Sequence, residues 1–154
     1  YCANGEAKTV AEGFAALSAI AISSDLWRLY IAGSSKGCIY VATICEDGGL
    51  RDIKIFFSLH MPTEFTSPGA YDICVDCNDR VFAATELGVQ CIRSYRLIDL
   101  ILPLPKNETP RRLTISGGYL FAQCGDKTYC RKIKSSAKEV SLEPKAPKFI
   151  SYYD

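Results

Sequence analysis

The chain has one histidine, His60, and that scarcity narrows the enzyme classes open to it. Nucleophilic catalysis through a Ser-His or Cys-His pair would have to use this one residue, in the loop "SLHMPTEF". There is no excess of positive charge either. A formal net charge of +1 gives no electrostatic case for nucleic acid, which calls for a clearly basic face. No apolar run approaches the ~18 residues that span a bilayer. The longest, around Leu97–Leu104, is broken by Asp99 and Pro103. No glycine-rich phosphate loop opens a helix, and hardly any segment has helical periodicity. No signal or transit peptide pattern is visible, so the compartment is not written in the residues.

Cysteine is plentiful, with residues at 2, 38, 45, 74, 77, 91, 124 and 130. An even count fits four disulfides in a secreted protein. The length of 154 residues and the large apolar fraction favour buried free thiols, since free cysteine behaves as a small core residue. That reading suits an intracellular or organellar-lumen setting better than a secreted one. Cys74 and Cys77 form a Cys-x-x-Cys, but it spans a strand end and a turn, with no βαβ pattern around it. Zinc would need a second pair at similar spacing, and Cys124/Cys130 has the wrong gap. Asn107-Glu108-Thr109 is a glycosylation sequon in a loop. Lys132, Lys134 and Lys138 read as a solvated face.

Short strands separated by turn residues dominate. "LSAIAIS" (17–23), "WRLYIAG" (27–33), "CIYVATI" (38–44) and "IKIFFSL" (53–59) form an expected antiparallel meander. The pattern repeats in "YDICVD", "RVFAAT", "GVQCIR" and "RLIDLILP" (71–103). It repeats again in "RRLTIS", "YLFAQC" and "KTYCRKI" (111–133), with a weak fourth strand near 138–142. Each unit starts with a small-residue strand, then a polar turn, then an aromatic-containing strand. Unit starts at about 17, 71 and 111 give the 40–55-residue spacing of propeller blades. Small side chains suit inner strands that crowd around an axis. The predicted fold is all-β: a partial β-propeller of about three four-stranded blades, half of a six-bladed one. Residues 1–13 read as the outer strand of a preceding blade, 14–141 as the blades, and 142–154 as an extended C-terminal arm. A propeller usually has four to eight blades, so the terminal ones expose open edges. A protein partner covering them is therefore expected.

"GFAALSAIAISSDLWRLYIAGSSKGCIYVATICEDGGL", "YDICVDCNDRVFAATELGVQCI" and "LILPLPKNETPRRLTISGGYLFAQC" resemble, in order, successive segments of the senescence marker protein (regucalcin)/gluconolactonase/luciferin-regenerating family, in its C-terminal half. The resemblance runs over roughly residues 7–133. It implies a divalent metal such as calcium on the propeller axis, acting as Lewis acid in lactone hydrolysis. The family's metal-binding Asn falls on Ser18 and its Asp on Tyr71, with Asp72 one place further on. Ser18 and Asp72 are thus the candidate metal positions, both altered from the family pattern. No catalytic residue is assigned. The expected function is a non-catalytic interaction or scaffold subunit within a larger assembly, with no cofactor. The alternative is half of a metal-dependent lactonase, whose cofactor would be a divalent metal such as calcium.

Overall fold

The computed structural model describes residues 7–14, 16–33, 37–63, 69–93 and 98–134. It contains eleven strands: β1 (Leu17–Ile22), β2 (Arg28–Gly33), β3 (Cys38–Ile44), β4 (Leu50–Ser58), β5 (Asp72–Val75), β6 (Val81–Thr85), β7 (Gly88–Ile92), β8 (Ile98–Leu102), β9 (Arg112–Ser116), β10 (Tyr119–Cys124) and β11 (Lys127–Lys132). No α-helix occurs among the described residues; a single 3₁₀ turn covers Pro105–Asn107.

The strands form three antiparallel meanders, β1-β2-β3-β4, β5-β6-β7-β8 and β9-β10-β11. These are blades one, two and three of the predicted half-propeller. The predicted fourth strand near 138–142 and the arm at 142–154 lie outside the described residues. Of the outer strand expected at 1–13, residues 7–13 are described and carry no strand, and the adjoining Phe14 meets Tyr40 edge-on at 5.4 Å. The turns follow local chemistry. Gly117 and Gly118 both have positive φ and close the two-residue β9–β10 hairpin, as its backbone twist requires. At Gly69 a side chain is excluded, because a Cβ would lie 2.1 Å from the Gly37 Cα where two loops cross.

Residues paired across antiparallel strands share a face, so the register shows how the blades stack. Blade one presents Tyr30, Ala32, Ile39, Val41 and Phe56 to Ile73, Val81, Ala83 and Ile92 of blade two. The small inner-strand residues Ala19 and Ala21 pack against this cluster. Blade two's other face presents Phe82, Ala84, Val89, Cys91 and Leu102 to Leu113, Ile115, Leu120 and Ala122 of blade three. The inner strands β1, β5 and β9 are sequential neighbours, as blades around one axis require.

Polar clasps close the end carrying the β1–β2 and β5–β6 turns. Asp79 in blade two accepts bonds from the Ser24 N–H (2.7 Å) and the Arg28 guanidinium (2.8 Å) of blade one. Among the described residues, the buried Tyr30 hydroxyl in the first seam has no hydrogen-bond partner. An unsatisfied buried hydroxyl costs about 1–3 kcal/mol. Tyr30→Phe is therefore expected to raise stability by about 1 kcal/mol, measured by urea denaturation. A lower midpoint would mean that the hydroxyl has a partner.

Candidate mouth of the axis

The meander order places the starts of β1, β5 and β9 at one end of the blades, together with the β2–β3, β6–β7 and β10–β11 loops. This end is the mouth. In each blade one residue precedes the first regularly paired residue of the inner strand. Those residues are Ser18 before Ala19, Tyr71 before Asp72 and Arg111 before Arg112. The equivalence is explicit in the backbone, since the Tyr71 N–H donates to the Ala84 carbonyl and the Arg111 N–H to the Gln123 carbonyl.

Ser18 sits at an irregularity in the β1–β2 register, and its hydroxyl donates to the Ala32 carbonyl at 3.3 Å. Tyr71 donates its phenol to Glu86. The Arg111 guanidinium lies over the Tyr71 ring, 3.8 Å from its centroid. Asp72 pairs in register with Ala84, on the face turned toward blade three. One Asp72 oxygen accepts the Ile73 N–H at 3.0 Å, and the other accepts the Leu113 N–H of β9 at 2.7 Å. Asp72 thus bridges blades two and three. No bulge interrupts β5, so nothing re-aims it along the strand. Among the described residues no three His, Cys, Asp or Glu side chains converge as a metal-binding group.

Beside Arg111 a cleft of about 450 Å³ is lined by Glu108, Thr109, Cys124, Gly125, Asp126 and Lys127. Lys127 (2.7 Å) and Tyr129 (3.0 Å) both donate to Glu108, and the Lys127 bond is the main reason its carboxyl is held below the usual range. His60 is exposed at the same end. Its backbone is held on both sides by the fully buried Gln90, whose amide oxygen accepts the His60 N–H (3.0 Å) and whose amide nitrogen donates to the His60 carbonyl (2.7 Å).

The described cysteines are thiols rather than disulfide halves, with Cys38, Cys91 and Cys124 buried. Burial, reinforced by the Asp72 and Asp76 charges, pushes the Cys74 thiol up to about 12, so it remains protonated and a poor nucleophile. Asn107 of the sequon is exposed on the 3₁₀ turn.

Comparison with solved structures agrees with the blade geometry. A gluconolactonase from Xanthomonas campestris superposes with a TM-score of 0.63 at 21% identity, over 77% of this chain and 38% of that one. A further gluconolactonase-like structure gives 0.73 at 11% identity, over 88% and 45%.

The fold is that of the gluconolactonase propellers.

A calcium-binding regucalcin from Agrobacterium tumefaciens matches the same gluconolactonase-like fold with a TM-score of 0.62 at 11% identity, over 80% of this chain and 48% of that one. The chain spans less than half the length of each of these structures. No family model and no curated sequence matches it. Within this gluconolactonase-like frame, Arg111, Glu86 and Gln90 are mouth and seam residues that reading the sequence did not single out. The blade phase carried a signal for Arg111, because counting it through the third unit puts Arg111 in line with Ser18 and Tyr71.

Proposed function

We propose that this half-propeller is a non-catalytic interaction subunit, and that blade one's outward face is where its partner docks. The supporting observation is an apolar ladder on that face. Ile20, Ile31, Tyr40 and Ile55 pair directly across all four strands, and Ile22, Leu29 and Ala42 form a second row. At its margins Ile20 is 64% exposed, Ile55 52% and Ile22 51%, whereas Ile31 (2%) and Ala42 (0%) in the middle are already covered. Fully burying an isoleucine contributes about 1.5–3 kcal/mol, so covering this face gives a substantial driving force. The two seams inside the chain join antiparallel blades through apolar sides, which supports another such blade as the occupant.

A second copy fits poorly in that role. Head-to-tail closure would bring blade three's outward face onto the isoleucines. That face pairs Arg112 with Gln123 and Thr128, Thr114 with Phe121 and Cys130, and Ser116 with Tyr119 and Lys132, so charges flank its apolar middle. Burying Arg112 and Lys132 against isoleucine leaves two unpaired charges in an apolar seam. In this reading the occupant is a blade of a different polypeptide.

A second reading, half of a metal-dependent lactonase, is favoured by the gluconolactonases that the fold matches and by the chain's span of less than half their length. One experiment separates the two. Photo-crosslinking residues are placed at 20 and 55, with controls at 114 and 123, in the native polypeptide, whose intact denatured mass is also measured. Adducts at 20 and 55 to a propeller strand of another polypeptide, with a mass near 17.0 kDa, support the proposal. Adducts to an upstream strand of the same polypeptide, with a mass about twice that, overturn it in favour of the lactonase reading. Adducts to a second copy overturn the choice of partner.

A further inference from the structure

The three equivalent axial positions in this half are a hydroxyl, a phenol and a guanidinium: Ser18, Tyr71 and Arg111. None is a carboxylate. A divalent cation such as calcium needs several free oxygen ligands, usually including carboxylates. Here the Ser18 hydroxyl is turned to the Ala32 carbonyl, the Asp72 carboxylate is turned to backbone N–H groups of β5 and β9, and among the described residues no three metal-ligating side chains converge. A fixed positive charge already lies over the Tyr71 ring, next in sequence to Asp72. These residues do not fit a divalent metal, whose approach the Arg111 charge opposes.

They fit the opposite charge. Arg111 is exposed, and no carboxylate among the described residues forms an ion pair with it. Its orientation is fixed from below by Tyr71, which is itself tethered to Glu86. A planar guanidinium held flat leaves its N–H fork available, the geometry that recognises carboxylate or phosphate bidentately. Of the two acids in the adjoining cleft, Glu108 is already engaged by Lys127 and Tyr129, while Asp126 opposes an anion.

We propose that the mouth of this half-propeller binds an anionic group, a carboxylate or phosphate, through Arg111, in place of a divalent cation at Asp72. The inference concerns the mouth alone and holds whether or not blade one has a partner. The test is heteronuclear NMR of the whole chain, titrated separately with inorganic phosphate, acetate and calcium chloride. The Arg111 Nε–H signal reports the anion. The Leu113 amide, bonded to Asp72, reports any metal drawing that carboxylate away. Phosphate is expected to shift Arg111 saturably while calcium leaves Leu113 unmoved. Saturation with acetate as well would assign the site to carboxylates in general, and saturation with phosphate alone to phosphate groups.

Arg111→Lys keeps the charge but loses the fork, so affinity followed at the Gly125 amide should fall about tenfold. Asp126→Asn should tighten anion binding about threefold by removing a nearby like charge. Calcium shifting Leu113, with the shift lost in Asp72→Asn, would overturn the proposal. So would an Arg111 signal that no anion moves, or an Asp126→Asn variant that binds phosphate more weakly.

Discussion

Asp76→Ala is expected to destabilise the chain by about 3–5 kcal/mol, the range for breaking a buried ion pair from one side. The Asp76 side chain is fully buried at the end of β5. One of its oxygens accepts the Asn78 N–H (2.8 Å) and the Arg80 N–H (3.0 Å), and the other accepts the Arg80 Nε–H (2.6 Å). Removing the carboxylate orphans three donors, one of them on a guanidinium whose side chain is only 24% exposed. It also releases the turn that carries Asp79, and with it the clasp to Ser24 and Arg28 of blade one. The loss should therefore spread across the first seam. Urea denaturation of the purified chain measures it, and amide exchange at Ser24 reports whether the clasp opens. Asp76→Asn retains an acceptor for the turn amides but sets an amide against Arg80, so it should fall between wild type and alanine. A loss below about 1 kcal/mol in Asp76→Ala would show that water replaces the carboxylate, as it does at an exposed pair.

Gln90→Leu is expected to cost about 2–3 kcal/mol, although it places an apolar residue of similar size in a buried seam. Gln90 lies in the row Ile73–Ala83–Gln90, the face that blade two turns toward blade one. Its amide holds both backbone groups of His60 and also donates to the Thr85 hydroxyl at 3.1 Å. Leucine satisfies none of these groups. His60 is exposed and its backbone can turn to water, which keeps the cost below the full desolvation penalty. Faster exchange at the His60 amide, with blade three unaffected, is the expected signature. A variant as stable as wild type would mean that the loop after β4 is held by its apolar contacts alone, such as that of buried Leu59.

The strand order could be read from the residues to within a few positions. β3, β10 and the start of β1 fall where alternation and turn residues put them. β4 was the least accurate, beginning at Leu50 rather than at residue 53. Positive φ at Asp52 and two register shifts against β3 accompany the extra residues 50–52, which the alternation did not assign to the strand. Whether Ser18 and Asp72 could serve as metal positions cannot be judged from the chain alone. Ser18 is the second residue of β1 and Asp72 the first of β5, but what their side chains bond depends on partners 14 and 41 residues away.

The sequence by itself determined the all-β class, the three-unit repeat and the phase of each blade. Those follow from local rules: side chains alternate with period two, and glycine or aspartate closes the turns. Only the tertiary structure decided that Arg111 lies on Tyr71, that Asp72 bridges to blade three, and that blade one ends in isoleucines while blade three ends in charge and hydroxyl. Each of these depends on which face a strand turns to the next sheet and how far neighbouring blades are staggered. A slip of one residue in a strand's pairing register within its own blade would exchange every side chain it sends into the seam for one on the other face.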